Sequence, residues 1–298
     1  MDPAPSIGWV GLGKLGLPMA SRLAAAGYGV TGYDRDRSRI ALAGARGLVP
    51  AATPTAAVAD KDVVFASLPD DGALRTATLG QAGLLAQMRP DAILVETSTV
   101  SPEASADLAR EADARGIAYL RLPVSGNPTL AEAGTLTCFA SGPRRAFDRV
   151  QPLLTAFTRA QTYLGASEEA RYAKLAVNLM IAVSAGMIAE ALALARKGDI
   201  AWRDMLDVLA ESAVGSPMVK YKVPPLAERD FSSTFSCRQM AKDLDLILGA
   251  AKAQNVPVPL AALMRETYSA LIAQGDGEDD FIATVRHAER LSGLPEPI

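Results

Sequence analysis

Residues 6–34 read SIGWVGLGKLGLPMASRLAAAGYGVTGYD, a pattern that predicts a strand, a glycine-rich turn, a helix and a second strand. The first strand is apolar and runs directly into a GxGxxG pattern. We call this pattern the glycine loop; it consists of Gly11, Leu12, Gly13, Lys14, Leu15 and Gly16. The helix is expected over about residues 15–26 and ends at Gly27, a residue type suited to the left-handed conformation that stops helices. Asp34 closes the second strand.

Each part of this stretch has a role in binding a dinucleotide. Gly11 allows the tight turn, Gly13 lets the backbone approach a pyrophosphate, and Gly16 lets the helix pack closely against the strand. The free N–H groups at the start of the helix then face the phosphates. Asp34, roughly 20 residues beyond the glycines, is placed to accept hydrogen bonds from the adenosine ribose hydroxyls. The context on both sides of the motif therefore predicts a dinucleotide site.

The residues around Asp34 bear on the choice between NAD and NADP. An acidic residue at the end of the second strand favours NAD because it repels a 2′-phosphate, whereas a nearby arginine can accommodate that phosphate. Arg35, Arg37 and Arg39 follow directly and can equally form the solvated first turn of a second helix. We expect NAD, with NADP as the alternative, and count Arg35 among the candidate cofactor contacts.

Composition narrows the class of protein. The 298 residues are enough for two domains, and 49% of them are hydrophobic. The net charge is −3 and no basic block occurs, so we expect no nucleic-acid partner. Cys138 and Cys237 are the only cysteines, which is too few for a disulfide framework and lacks metal-ligand spacing. We therefore expect no metal site and two reduced, buried thiols.

No targeting signal is recognised in the sequence, so we expect a cytoplasmic protein. The N-terminal residues MDPAPSIG lack the charged and apolar regions of a signal peptide. The apolar run over residues 175–189 is interrupted by Asn178 and Ser184 and is too short to span a bilayer. We expect this run to be a buried helix, with no membrane partner.

Further candidates lie where predicted strands end. Apolar segments at residues 48–50, 63–68 and 92–96 alternate with helical stretches at 73–88 and 102–115, which predicts a parallel sheet covered on both faces. Ligands of such sheets bind beyond the carboxyl ends of the strands.

Two groups of residues follow those strand ends. Leu68, Pro69 and Thr99 are candidate cofactor contacts, although both segments can also be ordinary loops that begin helices. Ser125, Gly126 and Asn127 end an extended segment, and another strand is expected over residues 133–142. Their small side chains would let backbone donors reach a carboxylate, but an ordinary loop has the same composition.

A long alanine-rich helix is expected over about residues 168–197. It is apolar nearly all round, so it should be buried on most sides. Lys174 and Asn178 are four residues apart and share a face. Lys174 either reaches solvent from the start of the helix or acts as an acid near a substrate oxygen, with Asn178 donating a further hydrogen bond. The remaining residues predict helices without strands, and His287 is expected to be an exposed, non-catalytic helical residue.

Several motifs, taken together and in order, resemble those of the β-hydroxyacid dehydrogenases. This family includes 3-hydroxyisobutyrate dehydrogenase, tartronate semialdehyde reductase and the glyoxylate/succinic semialdehyde reductases. The matching runs are GLGKLGLPMA from Gly11, STVSP around Thr99, PVSG followed by GTLT, AKLAVN around Lys174 and AKDLDL around Lys242. The resemblance covers almost the whole chain.

The resemblance implies a fold and an activity. The fold is α/β, with an N-terminal Rossmann-like doubly wound sheet over residues 1–165 and an all-helical substrate and dimerisation domain over residues 166–298. The activity is hydride transfer between a nicotinamide cofactor and a small 3-hydroxy acid or its semialdehyde. Lys174 would donate or accept the proton, and partial burial with cationic neighbours would lower its pKa towards working pH. The remaining implied site residues are Ser125, Gly126 and Asn127 for the substrate carboxylate, Asn178 for substrate position, and Leu68, Pro69, Thr99 and Lys242 for the cofactor.

The chain departs from the family's motifs at one position, and several alternative functions remain open. The family commonly has Ser-Gly-Gly where this chain has Asn127 after Ser125 and Gly126, and an asparagine narrows the pocket and adds hydrogen-bonding groups. A related imine reductase shares the fold but typically replaces the lysine, and a phosphogluconate-type enzyme needs a longer helical domain. A non-catalytic dinucleotide-binding interaction protein would be expected to lose Lys174 or the Ser125 loop. Because the long helix needs cover on several sides, we also expect a homodimer or larger assembly.

Overall fold

The computed structural model describes residues 4–295. The chain divides into two compact units, Met1–Lys174 and Leu175–Ile298, which we call the N-terminal and C-terminal units. The N-terminal unit contains an open sheet whose strands, in chain order, are β1 (Ile7–Val10), β2 (Val30–Tyr33), β3 (Val49–Pro50), β4 (Val63–Ala66), β5 (Ile93–Glu96), β6 (Ala118–Arg121), β7 (Val124–Ser125), β8 (Leu136–Ser141) and β9 (Thr158–Gly165).

Helices alternate with these strands. Those of the N-terminal unit are α1 (Gly16–Ala25), α2 (Arg37–Ala45), α3 (Pro54–Val58), α4 (Asp71–Thr78), α5 (Leu84–Gln87), α6 (Pro102–Ala114), α7 (Pro128–Glu132) and α8 (Arg144–Leu154). Helix α9 (Glu169–Lys197) crosses the division between the units. The C-terminal unit continues with α10 (Trp202–Glu211), α11 (Pro217–Ala227), α12 (Cys237–Ala253), α13 (Pro259–Ala273), short 3₁₀ turns at Asp276–Glu278 and Phe281–Ala283, and α14 (Thr284–Leu291).

The strand order places the ends of the central strands at one edge. The order is β3-β2-β1-β4-β5-β6-β8-β7, so β1 lies between β2 and β4, where the winding direction reverses. Val10 pairs with Tyr33 on one side and with Ala66 on the other, in parallel register. The residues that follow these three strands therefore lie side by side, at the kind of reversal point where doubly wound sheets bind ligands. The predicted fold class, a doubly wound α/β sheet followed by helices, is confirmed.

Aromatic packing supports the first strand from behind. Trp9 stacks on Phe65 with ring centroids 4.7 Å apart, and Phe157 meets both rings edge-on. The indole Nε1 of Trp9 donates a hydrogen bond to the carbonyl oxygen of Gly11 over 3.1 Å. The buried indole thus satisfies its polar group on the backbone of the glycine loop and fixes where that loop begins.

Three features of the N-terminal unit differ from the sequence expectations. The single helix expected over residues 73–88 is two helices, α4 and α5, because Gly80 adopts a positive φ of 79° between them. The sheet is not parallel throughout, since β8 runs antiparallel to β6 and β7. Strand β9, which pairs in parallel with β8, was not expected, because half of its eight residues are exposed and no run of more than two apolar residues marks it.

Helix α9 is less buried in the single chain than its composition predicts. Met180, Met187 and Leu194, spaced by seven residues, are 71%, 58% and 76% exposed. We call these three residues the α9 stripe. Only 39% of the most apolar 18-residue window of α9 is buried, so the expectation of burial on most sides is wrong for one chain.

Helix α9 also has 29 residues and a mean hydropathy of 1.9 in that window, which by length and composition alone is enough to cross a membrane. The length argument drawn from residues 175–189 is therefore wrong, because the run is part of a longer helix. Its other faces carry buried residues such as Leu175, Ala182 and Leu192, which belong to the core of the C-terminal unit.

The C-terminal unit contains a buried ion pair and a half-buried histidine. Lys222 Nζ lies 2.6 Å from Asp280 Oδ1, and the other carboxylate oxygen accepts hydrogen bonds from the backbone and hydroxyl of Thr234. His287 is half-buried rather than exposed, which corrects the sequence expectation. Burial, and secondarily the charge of Arg290, lowers the pKa of His287, so its imidazole is neutral near pH 7.

Candidate active site

The glycine loop has the shape that a pyrophosphate requires. Gly11 has a φ of 91°, and a Cβ there would lie 2.1 Å from the carbonyl oxygen of Ser67. A Cβ on Gly16 would lie 2.0 Å from the carbonyl oxygen of Gly11, whereas a Cβ on Gly13 would meet nothing within 4 Å. Gly11 and Gly16 are therefore required by the fold itself, while Gly13 borders open space. A dinucleotide fits this cradle, because a ligand can approach the backbone at Gly13 directly.

Asp34 is tied to the glycine loop. Its carboxylate accepts a hydrogen bond from Leu12 N over 2.7 Å and another from Asp36 N over 2.9 Å. Each carboxylate oxygen has further lone pairs, so the group retains acceptor capacity for a ribose hydroxyl. Arg35 is exposed beside it. No side chain caps the start of α1 at Leu15, which leaves the first amide groups of the helix facing the loop.

Two loops that follow β4 and β5 are joined to each other. Leu68 N donates to Ser98 Oγ over 2.7 Å, and Asp71 accepts hydrogen bonds from both the backbone and the hydroxyl of Ser101. Between these links, Thr99 is half-buried and Pro69 is exposed. The structure thus brings the candidate cofactor residues of the two loops to the same edge of the sheet as the glycine loop.

The Ser125 loop turns sharply. Gly126 has a φ of 139°, and a Cβ there would lie 2.5 Å from a methyl group of Leu136. The side-chain oxygen of Asn127 caps helix α7 by accepting a hydrogen bond from Leu130 N over 3.0 Å. This oxygen is committed to the helix, so the NH₂ group is the part of Asn127 that remains for a substrate. Ser125 is half-buried at the end of β7.

Lys174 is the last residue of the N-terminal unit and lies within α9, with 8% of its surface exposed. Asn178, one turn further along, belongs to the C-terminal unit and is also buried. Its Nδ2 donates to Asp243 Oδ2 over 2.5 Å. A carboxylate accepts only, so this contact fixes the orientation of the amide.

Asp243 contacts two candidate site residues and was not singled out in the sequence. It is buried, and Lys242 Nζ lies 2.8 Å from its Oδ1. Asp243 therefore links Asn178 of helix α9 to Lys242 of helix α12 within the C-terminal unit. The only available signal was its place in the AKDLDL run, next to Lys242. Among the described residues no cluster of metal-ligating side chains occurs.

Known proteins match the chain over nearly its full length. Residues 6–165 match the NAD-binding domain of 6-phosphogluconate dehydrogenase, and residues 169–288 match the NAD-binding domain of NADP-dependent 3-hydroxyisobutyrate dehydrogenase. The chain is 30% identical over 295 residues to 2-(hydroxymethyl)glutarate dehydrogenase of Eubacterium barkeri, covering 99% of this chain and 98% of that protein. The chain belongs to the β-hydroxyacid dehydrogenase family. The family resemblance seen in the sequence is confirmed.

Other β-hydroxyacid dehydrogenases agree with this assignment. The NAD-dependent L-serine dehydrogenase of Pseudomonas aeruginosa is 33% identical over 284 residues, 92% of this chain and 95% of that one. The structure of 3-hydroxyisobutyrate dehydrogenase from Mycobacterium tuberculosis with L-serine has a TM-score of 0.86 and 29% identity, covering 96% and 99% of the two chains. As a β-hydroxyacid dehydrogenase, this chain is an NAD(P)-dependent enzyme that acts on a hydroxyl-bearing carbon.

Proposed function

We propose that this chain is an NAD-dependent dehydrogenase of a small 3-hydroxy acid, or the reductase of the corresponding semialdehyde, with Lys174 moving the proton. The observation that carries the proposal is the burial of Lys174 on the same helix as Asn178, whose amide is held by Asp243. An ammonium group is costly to bury unless it is paired and hydrogen-bonded, and buried titratable groups of this kind are frequent at active sites. When bound, the nicotinamide cofactor supplies the hydride chemistry.

The protein's own residues would bind the substrate and transfer its proton. Lys174 accepts the hydroxyl proton when the acid is oxidised and returns a proton to the same oxygen when the aldehyde is reduced. Asn178, held by Asp243, donates the remaining amide hydrogen towards the substrate. Ser125, the backbone of Gly126 and the NH₂ group of Asn127 bind the carboxylate. Lys242 of helix α12 would be a further cofactor contact, as the family resemblance implies.

The substrate proposal rests on the chemistry that two relatives share. L-serine and 2-(hydroxymethyl)glutarate, named for those relatives, both carry a hydroxymethyl group on the carbon next to a carboxylate. A carboxylate cradle together with a proton donor suits that arrangement in this chain. Because Asn127 adds a polar group, we favour a small polar 3-hydroxy acid over a long apolar one.

Cofactor choice, assembly and location complete the proposal. The carboxylate of Asp34 at the end of β2 favours NAD, since it would repel a 2′-phosphate. The exposed α9 stripe would be covered by a second copy of the chain, which supports a homodimer. Cys138 and Cys237 are free and buried, in keeping with a reducing, cytoplasmic location.

Replacing Lys174 tests the proton role. Lys174→Ala should lower kcat by at least about 100-fold, the lower end for general acid–base catalysis, while the dissociation constant for NADH stays nearly unchanged. Lys197→Ala, an exposed lysine at the end of the same helix, is the matched control and should retain full turnover. Near-normal turnover of Lys174→Ala would disprove the assignment.

A panel of substrates tests the reaction class. Hydroxy acids, semialdehydes and cyclic imines are assayed with NAD(H), for the natural chain and for Asn127→Ser and Asn127→Gly. Asn127→Ser keeps an oxygen that caps α7 and removes the amide, and Asn127→Gly weakens a cap by only a few tenths of a kcal/mol, so both variants should fold. An unchanged ranking of acids in both variants would show that Asn127 does not select the substrate.

The same panel separates the two alternatives. Turnover of imines alone would contradict the carboxylate cradle and indicate an imine reductase. Cofactor binding without turnover of any compound would indicate a dinucleotide-binding interaction protein.

A further inference from the structure

Arg171 is buried one helical turn before Lys174 and is only 1% exposed. Its guanidinium donates to the carboxylate of Glu96, which is fully buried at the end of β5. It also donates to the carbonyl oxygen of Ser98 over 2.8 Å, to Tyr119 OH over 2.9 Å and to Ser105 Oγ over 3.2 Å. All of these residues belong to the N-terminal unit. One side chain therefore joins the first turns of α9 to the end of β5.

The guanidinium of Arg171 stays charged. Burial acts to lower the pKa of Arg171, but Glu96, Tyr119 and Glu168 together outweigh it and hold the pKa above its ordinary value. A buried ion pair is rarely the most stable solution, since apolar residues of similar volume often stabilise a fold as well or better. What Arg171 provides instead is a fixed arrangement of its acceptors, because a planar guanidinium holds several of them in place at once and a lysine would not.

The acceptors that Arg171 fixes lead directly to the cofactor loops. Ser98 is held at both ends of its backbone: its N–H donates to Glu96 Oε1 over 2.6 Å, and its carbonyl oxygen accepts from Arg171. The hydroxyl of Ser98 accepts a hydrogen bond from Leu68 N. Leu68 and Thr99, which adjoins Ser98, are among the candidate cofactor contacts of these loops, together with Pro69. Arg171 is thus two hydrogen bonds from Leu68 N and one helical turn from Lys174.

A second layer supports the guanidinium. Ser105 Oγ accepts from Arg121 Nε as well as from Arg171, each over 3.2 Å, and it shares a further hydrogen bond with Tyr119. Arg121 in turn pairs with Glu168, the residue directly before α9. The first turns of α9 are therefore fixed to the sheet by two arginines, of which Arg171 is the one that also holds a cofactor loop.

We propose that Arg171 is a positioning residue that sets the Lys174 amine relative to the cofactor loops at Leu68 and Thr99. The proposal rests on the proposed function, in which Lys174 moves the substrate proton. A misplacement of about 1 Å in a reacting geometry costs about 100-fold in rate. The hydrogen bonds of the glycine loop and Asp34 do not involve Arg171, so cofactor affinity should change less than kcat when Arg171 is replaced.

The test compares variants that separate geometry from charge. Arg171→Lys keeps the positive charge beside Glu96 but loses the fork that reaches Ser98 and Ser105. Arg171→Met combined with Glu96→Gln removes both charges, so that no unpaired ion is left buried. Ser98→Ala keeps the ion pair and removes only the acceptor of Leu68 N. The kinetic constants of each variant are compared with those of Lys174→Ala. Each variant is assayed below its own unfolding temperature.

We expect kcat to fall by at least about tenfold in Arg171→Lys and in the double variant, within the loss that such a misplacement causes. The dissociation constant for NADH and the KM of the acid should change by less than about threefold, and the solvent isotope effect on kcat should rise as proton transfer becomes slower. Ser98→Ala should also lower kcat, by a smaller factor, with little change in the dissociation constant for NADH or in the KM of the acid.

Three results would overturn the proposal. If folded variants kept kcat within about twofold, or lost kcat only in proportion to the folded fraction, Arg171 would be a structural residue alone. If Lys174→Ala itself kept normal turnover, both the proposed function and the positioning of Lys174 would be refuted. A large loss in Lys174→Ala with none in the Arg171 variants would refute the positioning role alone.

Discussion

A single methyl group added at Gly13 should separate cofactor binding from folding. The φ of Gly13 lies outside the left-handed region, and a Cβ there meets nothing within 4 Å. Gly13→Ala should therefore fold, and its free energy of unfolding should rise by about 0.4–1 kcal/mol because the unfolded chain loses freedom. The methyl group, however, occupies the space through which a pyrophosphate approaches the backbone. We expect the dissociation constant for NADH to rise at least about tenfold, or about 1.4 kcal/mol.

Gly16→Ala is the contrasting variant. Its Cβ would lie 2.0 Å from the carbonyl oxygen of Gly11 and 3.1 Å from the indole nitrogen of Trp9. Neither neighbour can move freely, since the indole is itself bonded to that carbonyl oxygen. Overpacking of this kind costs about 1–3 kcal/mol or more, so this variant should lose stability as well as cofactor affinity.

Urea unfolding and NADH fluorescence titration measure the two quantities independently. If Gly13→Ala bound NADH within about twofold of the natural chain, the pyrophosphate would not lie against Gly13, and the reasoning from open space would be refuted. If Gly16→Ala were as stable as the natural chain, the close packing between α1 and β1 would carry no energetic weight.

Three further predictions concern the cofactor, the assembly and the core. The ratio of kcat/KM for NAD(H) over NADP(H) should exceed one because of Asp34, and a clear NADP(H) preference would contradict this. Light scattering at micromolar concentration should give at least a dimer mass, and Met187→Glu in the α9 stripe should shift it to the monomer; a monomer mass for the natural chain would exclude the interface. Lys222→Met should lower the free energy of unfolding by about 3–5 kcal/mol, because the buried Asp280 carboxylate loses its partner, whereas Lys220→Met at the surface should have little effect. Equal stability of those two variants would refute the role of the ion pair.

The parts of the fold that the sequence predicts are those encoded locally. The unit β1-α1-β2 follows from an apolar strand, three glycines at fixed spacing and a helix stop at Gly27, all within residues 6–34. Strand β9 escapes such reasoning because it pairs with β8 through a nonlocal contact and shows little apolar alternation. The break between α4 and α5 depends on Gly80, and isolated glycines occur in continuous helices too often to decide a boundary.

The candidate site also has parts that the sequence predicts and parts that only the structure shows. The glycine loop and the Lys174–Asn178 pair are visible from short spacings along the chain. Their supporting partners are not, since Asn178 meets Asp243 across 65 positions and Arg171 meets Glu96 across 75. In the sequence these charged residues resemble ordinary surface residues of helices and strand ends. Only the tertiary structure shows that they are buried and paired.

The hydrogen bond from Leu12 N to Asp34 has a consequence for how cofactor preference can change during evolution or engineering. Replacing Asp34 to admit a 2′-phosphate would also release the backbone of the glycine loop, so one substitution would alter both selectivity and the phosphate cradle. A route towards NADP that keeps Asp34 and recruits the exposed Arg35 avoids that coupling. Asparagine at position 34 offers a compromise, because its side-chain oxygen can still accept from Leu12 N while the negative charge is removed. The acceptor that shapes the loop thus restricts which mutational paths to a new cofactor leave the enzyme intact.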